Sequence, residues 1–346
     1  MRFIHIADVH LGAEPKCGKY TEGRGQEIWD TFKKVIEVCN EEEADALFIA
    51  GDLFHRQPLL RELKEVNYLF STLNNTKVFL VAGNHDYIKK ESYYRTFVWN
   101  DNVYPIFTEE LSYVDVKELS LAVYGLSYFK KEIKDELYNV TAPGLERYEV
   151  LLAHGGDSKH IPINFATLNK LGFDYVAMGH IHKPGAPLKN KAVYSGALEP
   201  VDINDVGDHG YVRGIIDHGN VNVEFIPFAR RKYVHLLIEV DEGMTQPGIV
   251  DMIKDSINEH GIENIYKIKL TGKREPDTEF DTYYMNPYGN IVEIEDETCV
   301  AFNYEQIYYK NKDNIIGKYI ESFKGCKVGS REYTAMEEGV DALLKG

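Results

Sequence analysis

The 346-residue sequence predicts an α/β layered fold followed by a smaller α+β domain. Three observations support this prediction. Short runs of Val, Ile, Leu and Phe alternate with stretches of helical periodicity in residues 1 to about 228. Two later segments alternate apolar and polar residues, which is typical of antiparallel hairpins. After the basic sequence Arg230–Lys232 the strand and helix patterns start again, which indicates a second folding unit.

The first domain is predicted to contain five strands that are buried on both faces, because their sequences are apolar with little alternation. These strands are Phe3–Ala7, Ala46–Ala50, Lys77–Ala82, Glu149–Ala153 and Tyr175–Met178. Apolar residues recur every three or four positions in Gln26–Asn40 and Leu59–Leu73, which predicts two helices. Val114–Tyr124 and Gly210–Phe228 are the predicted hairpins, the second with the turn signal His218-Gly219-Asn220.

The second domain is predicted to mix strands with one main helix, Pro247–His260. Its predicted strands are Tyr233–Val240, Ile265–Thr271, Asn290–Ile294 and Thr298–Phe302. Two further helices are expected at Ile315–Phe323 and Glu332–Leu344. The predicted organisation is therefore a first domain at residues 1–228, a small α+β domain at 233–312 and a helical tail at 313–346.

Composition excludes several classes of protein. A net charge of −16 is unlike that of a protein that coats nucleic acid, although metal ions and a local basic patch could still bind phosphates. The four cysteines are widely spaced and contain no Cys-x-x-Cys pair, so no disulfide framework is expected. No apolar run is long enough to cross a bilayer, and the N-terminus lacks the pattern of a signal peptide. We expect a cytoplasmic protein without a membrane partner.

Polar side chains follow all five predicted strands of the first domain. They are Asp8 and His10, then Asp52, then Asn84, then His154, and finally His180 and His182. Ligands of layered α/β folds bind at the carboxyl ends of strands, so these side chains are expected to form one shared site. Gly51, Gly83 and Gly179 each precede a polar residue, where the missing side chain would allow close approach.

The spacing and number of these donors predict a site for two metal ions. Residues two apart in an extended segment point the same way, so Asp8 and His10, like His180 and His182, can each supply two ligands. Seven donors are too many for one ion, and Asp52 could bridge two ions about 3.5–4 Å apart, as in two-metal hydrolysis. Histidine, carboxylate and amide ligands without cysteine favour manganese, iron or zinc over copper or a structural zinc site.

The five blocks together resemble those of the calcineurin-like metallophosphoesterase superfamily: Asp-x-His, Gly-Asp-x-x-His, Gly-Asn-His-Asp, a lone His and Gly-His-x-His, in this order. The resemblance covers residues 1 to about 228 and implies a layered β-sandwich core flanked by helices. It also implies that Asp8, His10, Asp52 and His182 hold one ion, while Asp52, Asn84, His154 and His180 hold the other. His85 matches the histidine that is not a ligand and faces the phosphate.

Two features are similar to the double-strand-break repair nucleases within this superfamily. They are the opening Ile4–Gly12 and the block Gly51-Asp52-Leu53-Phe54-His55. In addition, the small domain at 233–312 matches the cap of those enzymes. The resemblance implies a manganese-dependent DNA exonuclease and endonuclease with two ions per chain. It further implies a homodimer that works with an SMC-like ABC ATPase. Magnesium, iron and zinc remain alternative metals.

The catalytic residues are expected to be His85, which would stabilise developing charge or protonate the departing 3′ oxygen, and His55, which would orient the phosphate or His85. A phosphomonoesterase or cyclic-nucleotide phosphodiesterase on the same fold is the alternative. A metal-free binding scaffold that has lost catalysis is a third hypothesis. Such a protein should have lost a metal ligand, but all seven donors are present in this sequence. The remaining histidines are expected to be structural, with His5 in the core and His160 among the loop, turn or surface residues.

Other features leave two interpretations open. The cations Lys16, Lys19, Arg24 and Arg56 lie near the predicted site and could meet phosphates, but solvated surface charge is the simpler interpretation for each. The cluster Tyr93, Tyr94, Phe97, Val98 and Trp99, with Leu60 and Leu69, fits either core burial or self-association. The apolar face of Ile315–Phe323 could dock on the ATPase or pack on its own domain.

Overall fold

The computed structural model describes residues 1–345 and forms two compact units. The first unit comprises Met1–Val234 and Glu263–Ile265. The second comprises His235–Ile262 and the described residues from Tyr266 onward, so residues 313–345 are grouped with it. Catalytic and capping roles for these units, and a separate tail, remain predictions. Gly346 lies outside the described residues.

The elements of the first unit follow the predicted order, with bounds that differ from the predictions by a few residues. In chain order they are β1 (Arg2–Ile6), α1 (Thr21–Glu41), β2 (Ala46–Ala50), α2 (Leu60–Ser71), β3 (Lys77–Val81), β4 (Val103–Pro105), β5 (Ser112–Val116), β6 (Leu121–Gly125), β7 (Tyr148–His154), α3 (Phe165–Leu168), β8 (Tyr175–Gly179), β9 (Gly185–Leu188), β10 (Ala192–Tyr194), β11 (Gly210–Asp217) and β12 (Asn220–Pro227). Both predicted hairpins are confirmed as antiparallel pairs, β5 with β6 and β11 with β12.

Two six-stranded sheets form the layered core, which confirms the predicted fold class. One sheet has the order β12-β11-β1-β2-β3-β4 and the other the order β5-β6-β7-β8-β10-β9. Within them, β1 to β4 run parallel to one another, and so do β6, β7, β8 and β10. The sheets face each other, since β2 lies against β7 and β8.

The strands are apolar on both faces because each sheet is covered on both sides. In β2, Phe48 packs between the sheets, whereas Leu47 and Ile49 pack under α1 and α2. The outer face of the second sheet is covered by the aromatic and aliphatic cluster around Tyr128 and Phe173. His5 is a core histidine, as expected, and its Nδ1 lies 2.9 Å from the Tyr175 hydroxyl of the opposite sheet.

The second unit is an α+β structure. Its elements are β13 (Tyr233–Val240), α4 (Gln246–His260), β14 (Ile265–Arg274), β15 (Ile291–Asp296), β16 (Cys299–Val300), α5 (Tyr304–Lys310), α6 (Ile315–Ser322) and α7 (Arg331–Lys345). The strand predicted at Thr298–Phe302 is only two residues long, because it pairs with β14 solely at Lys273 and Arg274. Within the unit, β14 lies beside β13 and β15, and β16 extends the pairing of β14.

Helices α6 and α7 pack closely on each other. The Tyr319 hydroxyl donates a hydrogen bond to Ala335 O, and a Cβ added to Gly339 would lie 2.1 Å from that hydroxyl. Glycine at this position of α7 therefore allows the close approach. Ile316, Ile320 and Phe323 are half-buried, whereas Ile315 is exposed. The apolar face of α6 thus packs largely inside its own unit.

No helix among residues 1–345 is long and apolar enough to span a membrane.

Candidate metal centre

The carboxyl ends of five strands bring the seven predicted donors together. Asp8 and His10 follow β1, Asp52 follows β2 and Asn84 follows β3, while His154 ends β7 and His180 and His182 follow β8. Asp8, His10, Asp52, Asn84 and His154 are buried, and His180 and His182 are partly exposed. The site therefore has a buried floor and an open rim.

Strained backbone holds several of these residues in place. Asp8, His10, Asp52 and His180 have positive φ angles of 49°, 53°, 49° and 93°. Residues other than glycine rarely adopt such angles, and the strain persists only where the surroundings enforce it. The close approach predicted at the glycines is confirmed: a Cβ at Gly83 would lie 2.2 Å from Asp52 Oδ1, and one at Gly51 would lie 2.3 Å from His154 Nδ1.

One set of donors is formed by Asp8, His10 and His182. Their ligand atoms all lie within 4.8 Å of one another. His10 Nε2 and His182 Nε2 are 3.0 Å apart, so both ring nitrogens face the same small space. This is the set that was expected to hold the first ion together with Asp52.

A second set surrounds Asn84. Its Oδ1 lies 2.9 Å from His154 Nε2 and 3.0 Å from His180 Nδ1. Asp52 Oδ2 is 3.4 Å from the same His154 nitrogen. Asp8, Asp52 and His154 also lie within 4.8 Å of one another, so the two sets share a boundary at these carboxylates.

Hydrogen bonds outside the two sets fix which nitrogen of each ring faces inward. His154 Nδ1 is 2.9 Å from Ala50 O, His182 Nδ1 is 3.0 Å from Asp205 Oδ2, and His180 Nε2 is 2.8 Å from Asp157 Oδ2. A carbonyl or carboxylate oxygen only accepts, so each of these nitrogens is assigned as the donor. The other nitrogen of each ring then offers its lone pair to the site.

The charges of the site are strongly coupled. Burial, with a smaller contribution from the charge of Asp52, raises the pKa of Asp8 to about 6. Burial alone would raise the pKa of Asp52 and lower that of His154, but their mutual attraction outweighs it, so the pKa of Asp52 falls and that of His154 rises to about 9. The shifts of Asp52 and His154 thus oppose each other where the two donor sets meet, and binding of a cation there would displace a proton.

The two predicted catalytic histidines lie at the open rim beside His10. The ring of His85 is 4.8 Å from that of His10 and 5.1 Å from that of His55. His85 Nδ1 donates to the backbone oxygen of His55 at 3.2 Å, and its Nε2 makes no hydrogen bond within the described part of the chain. His55 therefore contacts His85 through its backbone carbonyl group, and Nδ1 of the His55 ring lies 3.4 Å from His10 Nδ1.

Four residues that support the site were not singled out from the sequence as functional. Asp157, His160 and Asp205 contact the outer nitrogens of the ligand histidines or each other. Asp86 is fully buried and accepts hydrogen bonds from Gly83 N and the Tyr94 hydroxyl, which joins the loop after β3 to the segment that follows it. Asp86 could have been identified from the sequence, because it directly follows the pair Asn84-His85. Asp157 and Asp205 could not, because they lie in loops whose paths no local sequence pattern predicts.

The four cationic side chains that were expected near the site lie in different environments. Arg24 is fully buried and pairs with Glu199 at 2.7 Å, so the expectation of solvated charge is wrong for it. Arg56 is exposed but forms two hydrogen bonds to Glu62. Lys16 and Lys19 are exposed, and Lys19 Nζ lies over the ring of Tyr20.

The donor chemistry fits divalent cations. Oxygen and imidazole nitrogen atoms from five strand ends converge, and no sulfur atom is among the donors. Such donor sets suit manganese, iron, zinc or magnesium. A buried group of carboxylates and imidazoles without a cation would be costly. Asp8, His10, Asp52 and His182 could hold one ion, and Asp52, Asn84, His154 and His180 the other.

Comparison with known proteins agrees with this chemistry. A sequence profile of the calcineurin-like phosphoesterase family matches residues 1–184, which contain all seven donors. The chain is similar to the DNA double-strand break repair protein Mre11 of Methanocaldococcus jannaschii, with 28% identity over 228 residues. That alignment covers 60% of this chain and 59% of the archaeal protein, so the chain spans less than two thirds of this relative.

A second similar protein is the uncharacterized metallophosphoesterase YhaO of Bacillus subtilis. The identity is 25% over 289 residues, which cover 75% of this chain and 68% of the bacterial protein. The family profile covers more than half of the chain, and the site that it covers has the donors of a divalent metal centre. The chain belongs to the calcineurin-like phosphoesterase family, whose members are metal-dependent phosphoesterases.

Proposed function

We propose that the chain is a two-metal DNA nuclease that hydrolyses phosphodiester bonds as an exonuclease and endonuclease in double-strand-break repair. The observation that carries the proposal is the convergence of seven donors on two adjoining sets, with His85 beside them but outside both. The similarity to an archaeal protein named for DNA double-strand break repair supports the choice of DNA. The proposal keeps the cytoplasmic location expected from the sequence.

The residues of the site suit phosphodiester hydrolysis. Bound divalent ions would neutralise the phosphate and activate a water molecule as the nucleophile. The His55 carbonyl fixes Nδ1 of His85 as a donor, so Nε2 is the atom that would exchange a proton with the departing 3′ oxygen. Manganese is the proposed metal because the donors mix imidazole nitrogen with hard oxygen atoms.

Exposed cations that form no ion pair within the described residues lie near His85 and support a polyanionic substrate. Lys89, Lys90 and Arg95 follow His85 closely in the chain, and Lys130 and Lys131 lie on a neighbouring loop. The two loops are joined by a hydrogen bond from Ile88 N to Tyr128 O, and Arg95 lies 5.3 Å from the ring of Phe129. All five cations are exposed. A phosphate backbone binds such side chains without needing a closed pocket.

Self-association and an SMC-like ATPase partner complete the proposal. The aromatic cluster near α2 divides into a packed group and an exposed group. The packed group is the buried Tyr94 together with Phe97, Trp99 and Leu69, which pack on the core. The exposed group is Tyr93, Leu60 and Val98, and Val98 is 84% exposed. The exposed group is the proposed homodimer surface. For the ATPase, the proposed contact is the exposed apolar side of the C-terminal helices, near Ile315 and Tyr309.

The experiment that tests the proposal compares substrates in the presence of Mn²⁺. Labelled single-stranded and duplex DNA, bis-p-nitrophenyl phosphate and p-nitrophenyl phosphate are each incubated with the purified protein. We expect cleavage of DNA and of the diester. The net charge of −16 favours the alternative of a phosphomonoesterase, and strong monoester turnover with intact DNA would establish that alternative instead.

Two variants separate catalysis from metal binding. His85→Gln should bind Mn²⁺ like the unchanged protein but lose about 10²–10⁴-fold in cleavage rate, since it removes only a proton-transfer group. Asn84→Ala should lose cleavage and also weaken binding of the ion expected beside Asn84, because it removes an oxygen that faces both His154 and His180. Cleavage that survives in His85→Gln would refute the role of His85. Less than about one ion per chain after loading with Mn²⁺ would favour a scaffold without catalysis.

A further inference from the structure

The loop between β7 and α3 holds an aspartate that the donor sets do not include. Asp157 accepts hydrogen bonds from the backbone nitrogens of Lys159 and His160 at 2.7 and 2.9 Å. The Nδ1 atom of His160 lies 2.9 Å from its Oδ2, and His180 Nε2 lies 2.8 Å from the same oxygen. Four donors therefore surround a carboxylate whose side chain is 45% exposed.

The backbone of this loop is fixed in an unusual conformation. Gly155 and Gly156 have φ angles of +145° and +129°, and a Cβ at Gly155 would lie 2.4 Å from His160 O. Ile161 has a φ of 40°, which is costly for a β-branched residue. Its nitrogen donates to Ile133 O, which anchors the end of the loop. Strain of this kind persists where the surroundings enforce it, and it often marks a functional position.

A turn-forming role alone does not account for the arrangement. An aspartate that only stabilises a turn needs the two backbone donors, Lys159 N and His160 N. Here the second oxygen receives two imidazole rings as well, and the rings of His160 and His180 lie 4.4 Å apart. Of these two rings, only His180 also reaches the predicted site, where its Nδ1 faces Asn84 Oδ1.

We propose that Asp157 is a positioning residue that fixes the tautomer of His180, with His160 bracing the carboxylate. Nε2 of His180 donates to Asp157, so the lone pair of Nδ1 is directed to the ion expected between Asn84, His154 and Asp52. Asp205 does the same for His182, but its side chain is only 11% exposed and accepts two backbone donors from its own turn. On the His180 side of the centre, the carboxylate that orients the histidine is therefore partly exposed to solvent.

The inference rests on the metal centre of the proposed function and is independent of DNA as the substrate. It predicts that Asp157 controls one ion and leaves the other unchanged, because His180 belongs to one donor set only. Carboxylates that orient metal-bound histidines typically contribute 10–100-fold to metal affinity, so about that loss is expected at one site.

The variant Asp157→Asn tests this inference sharply. The asparagine oxygen can still accept from Lys159 N and His160 N, so the turn is preserved. Its NH₂ group would face His180 Nε2, which must then accept, and the proton moves to Nδ1 on the side of the metal. Asp281→Asn is the matched control, because Asp281 caps a turn through Tyr283 N and contacts no histidine within the described residues.

The measurements are the tautomer of His180 without metal, by ¹⁵N NMR of histidine-labelled protein, and the affinity of each ion, by Mn²⁺ titration with electron paramagnetic resonance. We expect Asp157→Asn to change His180 from the Nε2–H to the Nδ1–H form and to weaken one Mn²⁺ by about 10–100-fold. Asp281→Asn should change neither. An unchanged tautomer with two unchanged affinities would reduce Asp157 to a turn former. If the unchanged protein bound no Mn²⁺, the proposed function would fail, while the NMR result would still decide the tautomer.

Discussion

At the scale of single residues, several of the polar donors lie at positions where the backbone conformation is strained. Four of the seven donors, Asp8, His10, Asp52 and His180, have positive φ angles. Each lies at or just beyond a strand that is apolar and buried, so the strand fixes the position from which the strained residue departs. Sequence patterns predict the strand and the donor, but they do not predict the strain.

A buried residue away from the centre gives a prediction about pH. Burial lowers the pKa of His5 from 6.5 to about 3, so the folded protein keeps the ring neutral while the unfolded chain protonates it. The unfolded state therefore binds more protons between these values, and stability is lost as pH falls below 6.5.

Replacing His5 by Gln removes this titration. The difference in free energy of unfolding between the unchanged protein and His5→Gln should shrink by about 2 kcal/mol from pH 7 to pH 5, in urea titrations with a chelator. His218→Gln, in an exposed turn, is the control for replacing a histidine by glutamine. A pH-independent difference for His5→Gln would mean that the buried ring accepts a proton in the folded state.

At the scale of elements, a buried ion pair ties α1 to the segment between β10 and β11. Both Arg24 and Glu199 have fully buried side chains, and Glu199 also accepts from the Thr31 hydroxyl and from Arg230 N. The sequence could not reveal this pairing, because its partners are 175 residues apart. The order of the sheets was hidden for the same reason: β11, from late in the first unit, lies directly beside β1.

Removing one partner of this pair should be far more damaging than removing a surface charge. Glu199→Gln leaves Arg24 without its main counter-charge, and we expect a loss of about 3–5 kcal/mol in the free energy of unfolding. Glu224→Gln, which removes the exposed partner of Arg213, should cost less than about 1 kcal/mol. Equal losses in the two variants, measured by urea unfolding, would show that the buried network is not a major source of stability.

At the scale of the whole molecule, the sequence indicated most of the architecture and the seven donors that meet, because strand runs and polar strand ends are local signals. The supporting residues Asp157 and Asp205 were not predicted, since their roles depend on the paths of loops. Deletion of residues 314–346 would remove the proposed docking tail as a whole. The close packing of α6 on α7 makes surface variants a better test, because they leave that packing intact.

The docking proposal predicts a selective effect of charge at the exposed side of these helices. Tyr309 and Ile315 are 67% and 70% exposed, so Tyr309→Asp and Ile315→Asp should not disturb the fold. We expect them to weaken co-purification with an SMC-like ATPase while Mn²⁺-dependent DNA cleavage is retained. Leu237→Asp, at another exposed apolar position of the second unit, is the control. Undiminished co-purification of both variants would exclude this surface.

The most direct test of the central claim is anomalous diffraction from crystals of the protein loaded with Mn²⁺. The account predicts two peaks about 3.5–4 Å apart, one beside Asp8, His10 and His182 and the other beside Asn84, His154 and His180, with Asp52 touching both. A single peak, or peaks away from these side chains, would contradict a two-metal centre built from five strand ends.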